Sequence, residues 1–285
     1  MKILILGAGG MLGSDLASVL SEQDLIVADR PEWDITKNEE LKVKIQNCQP
    51  ELIINCAAFT DVEAAEEQSE TVFKVNAQGS LNLARISSEL NLPLMQISTD
   101  YVFDGEKGSG YNEDDKTQAI SVYGRSKEQG EKNIINNCQK YYIIRTSWLF
   151  GRAVARGKKN KTNFVDKMLE LSQTQKVIKA VSDQFSKPTY AKDLARSIKS
   201  NFIDNQREFG IYHLVNEGAV SWFDYAEEIF KQRKIKIKLQ KISGHDFFQK
   251  ARRPKYSALN NNKLPKLRPW PEALADYLKS IQIIK

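Results

Sequence analysis

The chain opens with MKILILGAGGMLG (residues 1–13), and this stretch decides the fold. Lys2 to Leu6 form a short apolar run, as in a strand buried on both faces of a parallel sheet, and glycines follow at once. Residues 14–20 then carry apolar side chains at helical spacing. Strand, glycine turn and helix in this order predict the first βα unit of an open α/β sheet.

The glycines of this turn have the spacing G-x-x-G-x-x-G. Glycines at such positions permit a tight turn and a close approach of the backbone to a pyrophosphate, while the next helix offers free N–H groups and a partial positive charge. A plain glycine-rich turn is the alternative, but the position directly after a strand favours a dinucleotide site. The predicted contacts are Gly7, Gly10, Met11, Leu12 and Gly13.

A second predicted strand, residues 25–28, ends in Asp29 and Arg30. Asp29 lies about 20 residues past the turn, where a carboxylate can accept hydrogen bonds from the adenosine ribose. Arg30 could instead hold the 2′-phosphate of NADP, so the choice between NAD and NADP stays open. Asp34 and Ile35 in the following loop are further predicted cofactor contacts, and we expect Thr36 to cap the next helix.

Three more apolar strands, at residues 52–58, 94–97 and 141–145, alternate with amphipathic helices, and a long helix is expected over 72–90. Five strands separated by helices predict a doubly wound parallel sheet, a Rossmann-like α/β fold. The third strand closes on small residues that let a flat ring or a ribose approach the backbone. Its predicted cofactor contacts are Ala57, Ala58 and Thr60.

The later part of the chain predicts a second, smaller unit. We expect a dinucleotide-binding domain over 1–150, rejoined by parts of 175–232, and a discontinuous C-terminal α/β part over 151–285 that binds substrate. Between Gly151 and Lys161 the chain is rich in Lys and Arg and has little periodicity, which predicts a mobile surface loop.

Composition limits the kind of function. With 285 residues, 41% hydrophobic and 27% charged, the chain has the composition of an ordinary globular protein. It contains no apolar run of the roughly 20 residues that span a bilayer, and its apolar start is too short for a signal peptide. The net charge of +6 suits an anionic small molecule, and no aromatic-interleaved basic stripe points to nucleic acid.

The cysteines and histidines argue against a metal centre and against disulfides. Cys48, Cys56 and Cys138 are odd in number and widely spaced, which predicts reduced thiols and a cytoplasmic protein. The histidines, His213 and His245, are too few for a His-rich metal site. We expect no bound metal and no membrane association.

Tyr123 and Lys127 are four residues apart and therefore lie on one face of a helix. An ammonium beside a phenol favours phenolate and lowers the phenol pKa, so the pair could transfer a proton near neutral pH. Thr99, at the carboxyl end of the fourth strand, points into the crevice where open α/β sheets bind ligands. Each feature alone has an ordinary alternative, a surface helix or a turn, but together they predict a catalytic site.

The chain resembles the extended short-chain dehydrogenase/reductase superfamily and, more narrowly, the dTDP-4-dehydrorhamnose reductase family. The matching stretches run in family order along nearly the whole chain: residues 7–13, 55–60, 98–105, 123–127 with Gly130 and Glu131, 145–151, Asn163 with Phe164, 183–189 and 253–257. The strand end at 98–103, together with Arg145 to Trp148, is the part specific to this family.

The resemblance implies an activity and roles for several residues. A nicotinamide, NADP or NAD in its reduced form, would deliver hydride to C4 of a keto-sugar nucleotide. Tyr123 would donate the proton, Thr99 would hydrogen-bond the developing oxyanion, and Lys127 would lower the tyrosine pKa and hold the nicotinamide ribose. Trp148 would pack against the sugar and Arg253 is suited to the diphosphate. The implied substrate contacts are Tyr101, Phe103, Trp148, Asn163 and Arg253.

Several features depart from the family pattern. Ser186 replaces a glycine in the family sequence Asp-Gln-x-Gly-x-Pro-Thr, the basic segment after Gly151 is longer, and Asp15 is shorter than the glutamate of magnesium-binding members. Two alternatives therefore stay open. One is a reductase or epimerase for another nucleotide sugar, and the other is a non-catalytic regulatory subunit of the methionine adenosyltransferase type. We expect a monomer or homodimer.

Overall fold

The structure, a computed structural model, describes residues 1–152, 163–247 and 249–281. Beyond Arg152, the basic segment predicted to be a mobile loop lies outside the described residues.

The strands in chain order are β1 Lys2–Leu6, β2 Asp24–Ala28, β3 Leu52–Asn55, β4 Leu94–Thr99, β5 Tyr141–Thr146, β6 Leu149–Phe150, β7 Val177–Val181, β8 Phe185–Ser186, β9 Thr189–Tyr190, β10 Gly210–His213, β11 Val220–Ser221 and β12 Lys238–Ile242. The α-helices are α1 Met11–Val19, α2 Asn38–Cys48, α3 Val62–Glu67, α4 Ser69–Phe73, α5 Gly79–Glu89, α6 Val122–Asn137, α7 Phe164–Thr174, α8 Ala191–Ile198, α9 Trp222–Arg233 and α10 Trp270–Ser280.

The central sheet of the described chain has six parallel strands in the order β10-β5-β4-β3-β1-β2. Successive residues of β1 point to opposite faces: Ile3 and Ile5 pack with α1 and α8, whereas Leu4 and Leu6 pack with α2, α5 and α6. All four side chains are fully buried. Helices therefore cover both faces, and the predicted doubly wound parallel sheet is confirmed.

The second half of the chain contributes to both parts of the molecule. Strand β10 joins the central sheet beside β5, and α8 packs against α1. Helices α7, α9 and α10 instead enclose an aromatic core with the parallel β7–β12 pair, around Phe150, Tyr190, Tyr225 and Tyr277. The position of the boundary between a dinucleotide-binding and a substrate-binding domain stays a prediction.

Two local predictions need correction. Thr36 does not cap a helix: α2 begins at Asn38, and the Thr36 N–H and hydroxyl both donate to Asp34 Oδ1, at 2.9 and 2.8 Å. The carboxylate of Asp34 thus closes a local turn, which competes with helix initiation. The single helix expected over 72–90 is also interrupted, because Lys74–Gln78 form a π-helical turn between α4 and α5.

A buried polar cluster links α6 to strands β5 and β10. Arg145 makes a bidentate ion pair with Glu131 of α6, with Nη2–Oε2 and Nε–Oε1 distances of 2.7 and 3.0 Å. His213 Nδ1 donates to the Asn260 carbonyl at 2.9 Å, and its Nε2 lies 3.4 Å from Arg145 Nη1. Since a carbonyl only accepts and a guanidinium only donates, the proton of the neutral imidazole sits on Nδ1.

The environment of His213 predicts a pH dependence of stability. Burial, followed by the charge of Arg145, lowers the pKa of His213 to about 3. The unfolded histidine, with a pKa near 6.5, takes up a proton that the folded one refuses, so this contribution to stability is present above about pH 6.5 and is lost towards pH 3. We expect the free energy of unfolding of the wild type, relative to His213→Gln, to fall by up to about 1.4 kcal/mol per pH unit below pH 6.5. Urea unfolding over this range measures the difference, and parallel pH curves would contradict the assignment.

Candidate active site

The predicted dinucleotide loop lies where the strand order of the sheet reverses. β2 and β3 flank β1 on opposite sides, so the connections from β1 and β3 leave the sheet in different directions. Gly7 has a φ of +75°, and a Cβ on it would stand 2.6 Å from the Ala57 backbone nitrogen. A side chain at this position would push the loops after β1 and β3 apart.

The start of α1 is suited to an anion. Gly10 is the N-cap, no side chain of the described residues caps it, and the first turn contains no acidic residue. The first N–H groups of a helix have no partner within the helix and carry partial positive charge. The Asp29 carboxylate joins β2 to the loop by accepting from Gly9 N–H at 2.9 Å and Arg30 N–H at 2.8 Å.

The predicted cofactor residues differ in how far they are exposed at the loops after β1 and β3. The side chains of Leu12 and Ile35 are 4% and 3% exposed and belong to the hydrophobic cores on the two faces of the sheet. Core packing consumes most of the surface of these two side chains, and their contact with a cofactor stays a prediction. Met11, Ala57 and Ala58 are partly exposed at the loops after β1 and β3, and Asp29, Arg30 and Thr60 are exposed.

The structure brings the predicted catalytic side chains together. Thr99 ends β4, and its Oγ1 accepts from the Tyr101 N–H at 3.2 Å and hydrogen-bonds Tyr123. Ser121, two residues before Tyr123, caps the start of α6: its hydroxyl accepts from the Gly124 N–H at 3.0 Å. A Cβ on Gly124 would stand 2.2 Å from the Tyr101 carbonyl oxygen, so only glycine lets α6 pack this closely on the turn after β4.

Tyr123 holds its proton more tightly than the sequence predicted. Burial raises its pKa above the ordinary value of 10, the hydrogen bond with Thr99 lowers it, and the charge of Asp100 raises it again. Lys127 is not among the causes of this shift, so its expected lowering of the Tyr123 pKa stays a prediction. A phenol that remains protonated at neutral pH is the state a proton donor needs.

Lys127 is buried, and its ammonium forms a hydrogen bond with strand β4 of the sheet. Its Nζ donates to the Ile97 carbonyl oxygen at 2.7 Å. Burial lowers its pKa to about 8, and the nearby Glu131 opposes the shift. Glu131 in turn accepts from the Ser98 hydroxyl at 2.5 Å. The ammonium therefore stands beside the strand end that also carries Thr99.

Arg253 reaches the same place from the C-terminal part of the chain. Its Nη2 pairs with Glu63 of α3 at 2.8 Å, and the guanidinium hydrogen-bonds Tyr101. The Tyr101 ring packs edge-on against Tyr123 with 5.9 Å between centroids. Within the described chain, Arg253 Nε is buried with no hydrogen-bond partner. The predicted substrate residues Tyr101 and Arg253 thus contact each other, and Tyr101 lies next to Tyr123.

Trp148 adopts a conformation that few side chains tolerate. Its φ of +41° lies in the left-handed region, and its ring stacks on Trp222 at the start of α9 with an interplanar angle of 11°. Such backbone geometry costs about 1–3 kcal/mol and persists only where the surroundings fix it. One face of the Trp148 indole is therefore covered by Trp222.

Two predicted substrate contacts lie in the interior instead. Phe103 is 0% exposed, stacks on Tyr111 and carries the Arg145 guanidinium over its ring, so its side chain has no surface left for a ligand. Asn163, 6% exposed, caps α7 through Oδ1, and its Nδ2 lies 2.9 Å from both the Gly151 carbonyl oxygen and Tyr277 OH. The contacts of both Phe103 and Asn163 favour a structural role, and their contact with a substrate stays a prediction.

Other residues at the site escaped the sequence reasoning. Asn76, in the π-helical turn, accepts from the Phe59 N–H at 2.8 Å, in the loop after β3. Its Nδ2 donates to the Phe59 carbonyl oxygen at 3.0 Å and to the Ser126 hydroxyl of α6 at 2.9 Å. Asp100 lies in the family-specific stretch 98–103 but was given no role, and Trp222 was not singled out, because their contacts with Ser186, Ser257 and Trp148 join residues far apart in the chain. Ser186 had a signal in its departure from the family glycine.

The described residues show neither a metal centre nor a membrane segment. Among them, no group of three or more His, Cys, Asp or Glu side chains is placed to hold a metal ion. Nor do the described ranges include a helix both long and apolar enough to cross a bilayer.

The doubly wound sheet, the glycine turn and the Thr99, Tyr123 and Lys127 cluster define a Rossmann-like enzyme of the extended short-chain dehydrogenase/reductase class. A model of the RmlD substrate binding domain matches residues 1–283. The chain therefore belongs to that family.

Individual relatives cover almost the entire chain. The spore coat polysaccharide biosynthesis protein SpsK of Bacillus subtilis is 33% identical, with 98% of this chain and 97% of that protein aligned. The structure of a dTDP-4-dehydrorhamnose reductase from Bacillus anthracis in complex with NADP is 34% identical, with a TM-score of 0.91 and coverage of 98% and 99%. A Clostridium acetobutylicum dTDP-4-dehydrorhamnose reductase is 36% identical, with a TM-score of 0.92 and coverage of 99% and 100%.

The indole pair yields a test of the site's architecture. In Trp222→Ala the stack is lost, so Trp148 is free to leave its left-handed conformation. We expect the near-ultraviolet circular dichroism of the coupled indoles to vanish and the free energy of unfolding to fall by about 1–3 kcal/mol. Trp33→Phe, which removes an indole outside the pair, serves as the control and should retain the coupled signal. An unchanged spectrum in Trp222→Ala would show that the rings do not interact.

Proposed function

We propose that this protein reduces the C4 keto group of a dTDP-4-dehydro-6-deoxysugar, with dTDP-4-dehydrorhamnose as substrate and dTDP-L-rhamnose as product. The observation that carries the proposal is the cluster of Thr99, protonated Tyr123 and Lys127 at the strand ends beside the dinucleotide loop. Such a product supplies the synthesis of a cell-surface polysaccharide, in keeping with the name of the Bacillus subtilis relative.

The residues of the chain divide the work between proton transfer and charge stabilisation. Tyr123 donates its proton to the sugar oxygen as negative charge develops there. The Thr99 hydroxyl donates a hydrogen bond to the same oxygen, which stabilises that charge in a site with little water. The Lys127 ammonium supplies positive charge near the phenolate that remains and holds the nicotinamide ribose.

The cofactor is NADP or NAD, which in its reduced form supplies the hydride. The residues fit such a group. A Cβ on Gly7 would fill the space between the loops after β1 and β3, and the start of α1, which no side chain of the described residues caps, suits a pyrophosphate. Gly10, Met11 and Gly13 would hold the pyrophosphate through their backbone. Asp29 and Arg30, both exposed at the end of β2, would contact the adenosine ribose or its 2′-phosphate.

For the substrate, we assign Trp148 to the sugar and Tyr101 and Arg253 to the nucleotide part. Support comes from the packing of Tyr101 against Tyr123, from the contact of Arg253 with Tyr101, and from Arg253 Nε, which is buried with no hydrogen-bond partner among the described residues. A guanidinium binds a diphosphate by paired charge-assisted hydrogen bonds. The relatives named dTDP-4-dehydrorhamnose reductase favour this sugar over other nucleotide sugars. The intact Thr99, Tyr123 and Lys127 set favours an enzyme over a regulatory subunit.

We further propose a cytoplasmic protein that acts as a monomer or homodimer, without nucleic-acid or membrane partners. The free thiols of Cys48, Cys56 and Cys138 support a reducing compartment.

Turnover tests the activity and its proton donor. Protein mixed with dTDP-4-dehydrorhamnose and either NADPH or NADH should consume the absorbance of the reduced nicotinamide. Tyr123→Phe removes the proton donor and should lower kcat by at least about 100-fold. Tyr141→Phe, at the far end of β5, is the matched control and should keep full activity. Absence of turnover with both cofactors would reject the assignment, and an active Tyr123→Phe variant would reject the mechanism.

A glycine substitution tests the dinucleotide loop separately. In Gly13→Ala the new Cβ would stand 2.3 Å from the Gly7 carbonyl oxygen, so the turn must open. We expect NADPH or NADH binding, measured by calorimetry, to weaken at least about tenfold, which corresponds to roughly 1.4 kcal/mol. Ser18→Ala is the control, because Ser18 is exposed on the same helix α1 and its change adds no atom to the turn. Equal affinity in both variants would place the cofactor elsewhere.

A further inference from the structure

A buried carboxylate lies directly behind the catalytic threonine. Asp100 is 2% exposed, and both of its oxygens accept hydrogen bonds from hydroxyl groups. Its Oδ1 lies 3.1 Å from Thr99 Oγ1, while its Oδ2 lies 2.9 Å from Ser186 Oγ and 2.5 Å from Ser257 Oγ. All four residues are buried.

The two serines belong to the half of the chain that carries Arg253. Ser186 ends β8, and Ser257 follows Arg253 by four residues. Backbone hydrogen bonds from Phe185 to Lys255 at 2.7 Å and from Ser257 to Phe185 at 2.9 Å hold the two segments side by side. The pair of serines therefore reaches Asp100 as one unit.

The Thr99 hydroxyl has a single proton, and more than one acceptor competes for it. In the described arrangement Thr99 Oγ1 accepts from the Tyr101 N–H, and Asp100 Oδ1 is within reach of its proton. To stabilise an oxyanion, the same proton must turn towards the sugar oxygen. A bare carboxylate would hold the proton strongly, whereas one that already accepts two serine hydroxyls holds it less.

We propose that Asp100, clamped by Ser186 and Ser257, is a positioning residue that orients the Thr99 hydroxyl and releases its proton to the substrate oxygen. This inference rests on the proposed reductase function. It also gives a role to Ser186, which stands where the family pattern has glycine, because the Ser186 hydroxyl is one of the two donors to Asp100 Oδ2. The segment that carries the substrate arginine then sets the geometry of the catalytic threonine.

The charge state of Asp100 is consistent with this role. Burial raises its pKa to about 6, and the hydrogen bonds from Ser257, Ser186 and Thr99 oppose the shift. The ionisable neighbours on which its charge acts, Tyr101 and Tyr123, both have raised pKa values and stay neutral at pH 7.

Steady-state kinetics with dTDP-4-dehydrorhamnose and NADPH test the inference. Asp100→Ala removes the partner that fixes the position of the Thr99 hydroxyl, so we expect kcat to fall by about 10- to 100-fold with little change in KM for the nucleotide sugar. Asp100→Asn keeps an acceptor oxygen for Thr99, and its amide can donate to the serine oxygens, so it should restore most of kcat. The double variant Ser186→Ala/Ser257→Ala should lower kcat by about tenfold.

A role in folding alone would give a different pattern. Asp100→Ala would then lower the Tm but leave the kcat of the folded protein unchanged. Ser87→Ala is the control, because Ser87 is a buried serine of α5 whose Oγ has no partner among the described residues. It should leave kcat unchanged.

The outcomes separate this inference from the proposed function. A wild type without turnover would overturn both. An active wild type, an inactive Tyr123→Phe variant and an unchanged kcat in Asp100→Ala would overturn the inference alone. Should Asp100→Ala fail to fold, the serine double variant decides, and an unchanged kcat there overturns the inference.

Discussion

The buried ion pair between Glu131 and Arg145 fixes the helix that carries Tyr123 and Lys127. Both side chains are almost fully buried, so neither charge could remain without its partner. The bidentate geometry and the additional hydrogen bond from Ser98 offset the loss of water around the two charges. Because Arg145 also contacts His213, one cluster joins α6 to the neighbouring strands β4, β5 and β10.

This pair also sets the register of α6. Tyr123, Lys127 and Glu131 are spaced by four residues and therefore share one face of the helix. Their partners are consecutive in β4: the lysine bonds the carbonyl of Ile97, the glutamate bonds Ser98, and the tyrosine meets the threonine that follows. A rotation or shift of α6 would break all three contacts together, so the position of the phenol is set by the helix as a whole.

Much of this followed from local sequence patterns. The alternation of strands and helices, the glycine turn after β1 and the four-residue spacing of Tyr123 and Lys127 are short-range signals, and they predicted the doubly wound sheet and the cluster with Thr99. The differences from expectation have a common cause in burial. Phe103 was assigned to the substrate but packs in the interior, and the Tyr123 pKa was expected to fall but is raised by loss of water.

The sequence alone determined the class of sheet and the place of the glycine turn after β1, and it predicted which residues transfer the proton, because these depend on periodicity and spacing within a few turns of chain. Only the tertiary structure decided what surrounds them. Asp100 meets Ser186 and Ser257 across separations of 86 and 157 residues. Such contacts depend on how the two halves of the chain pack, and no local pattern records them.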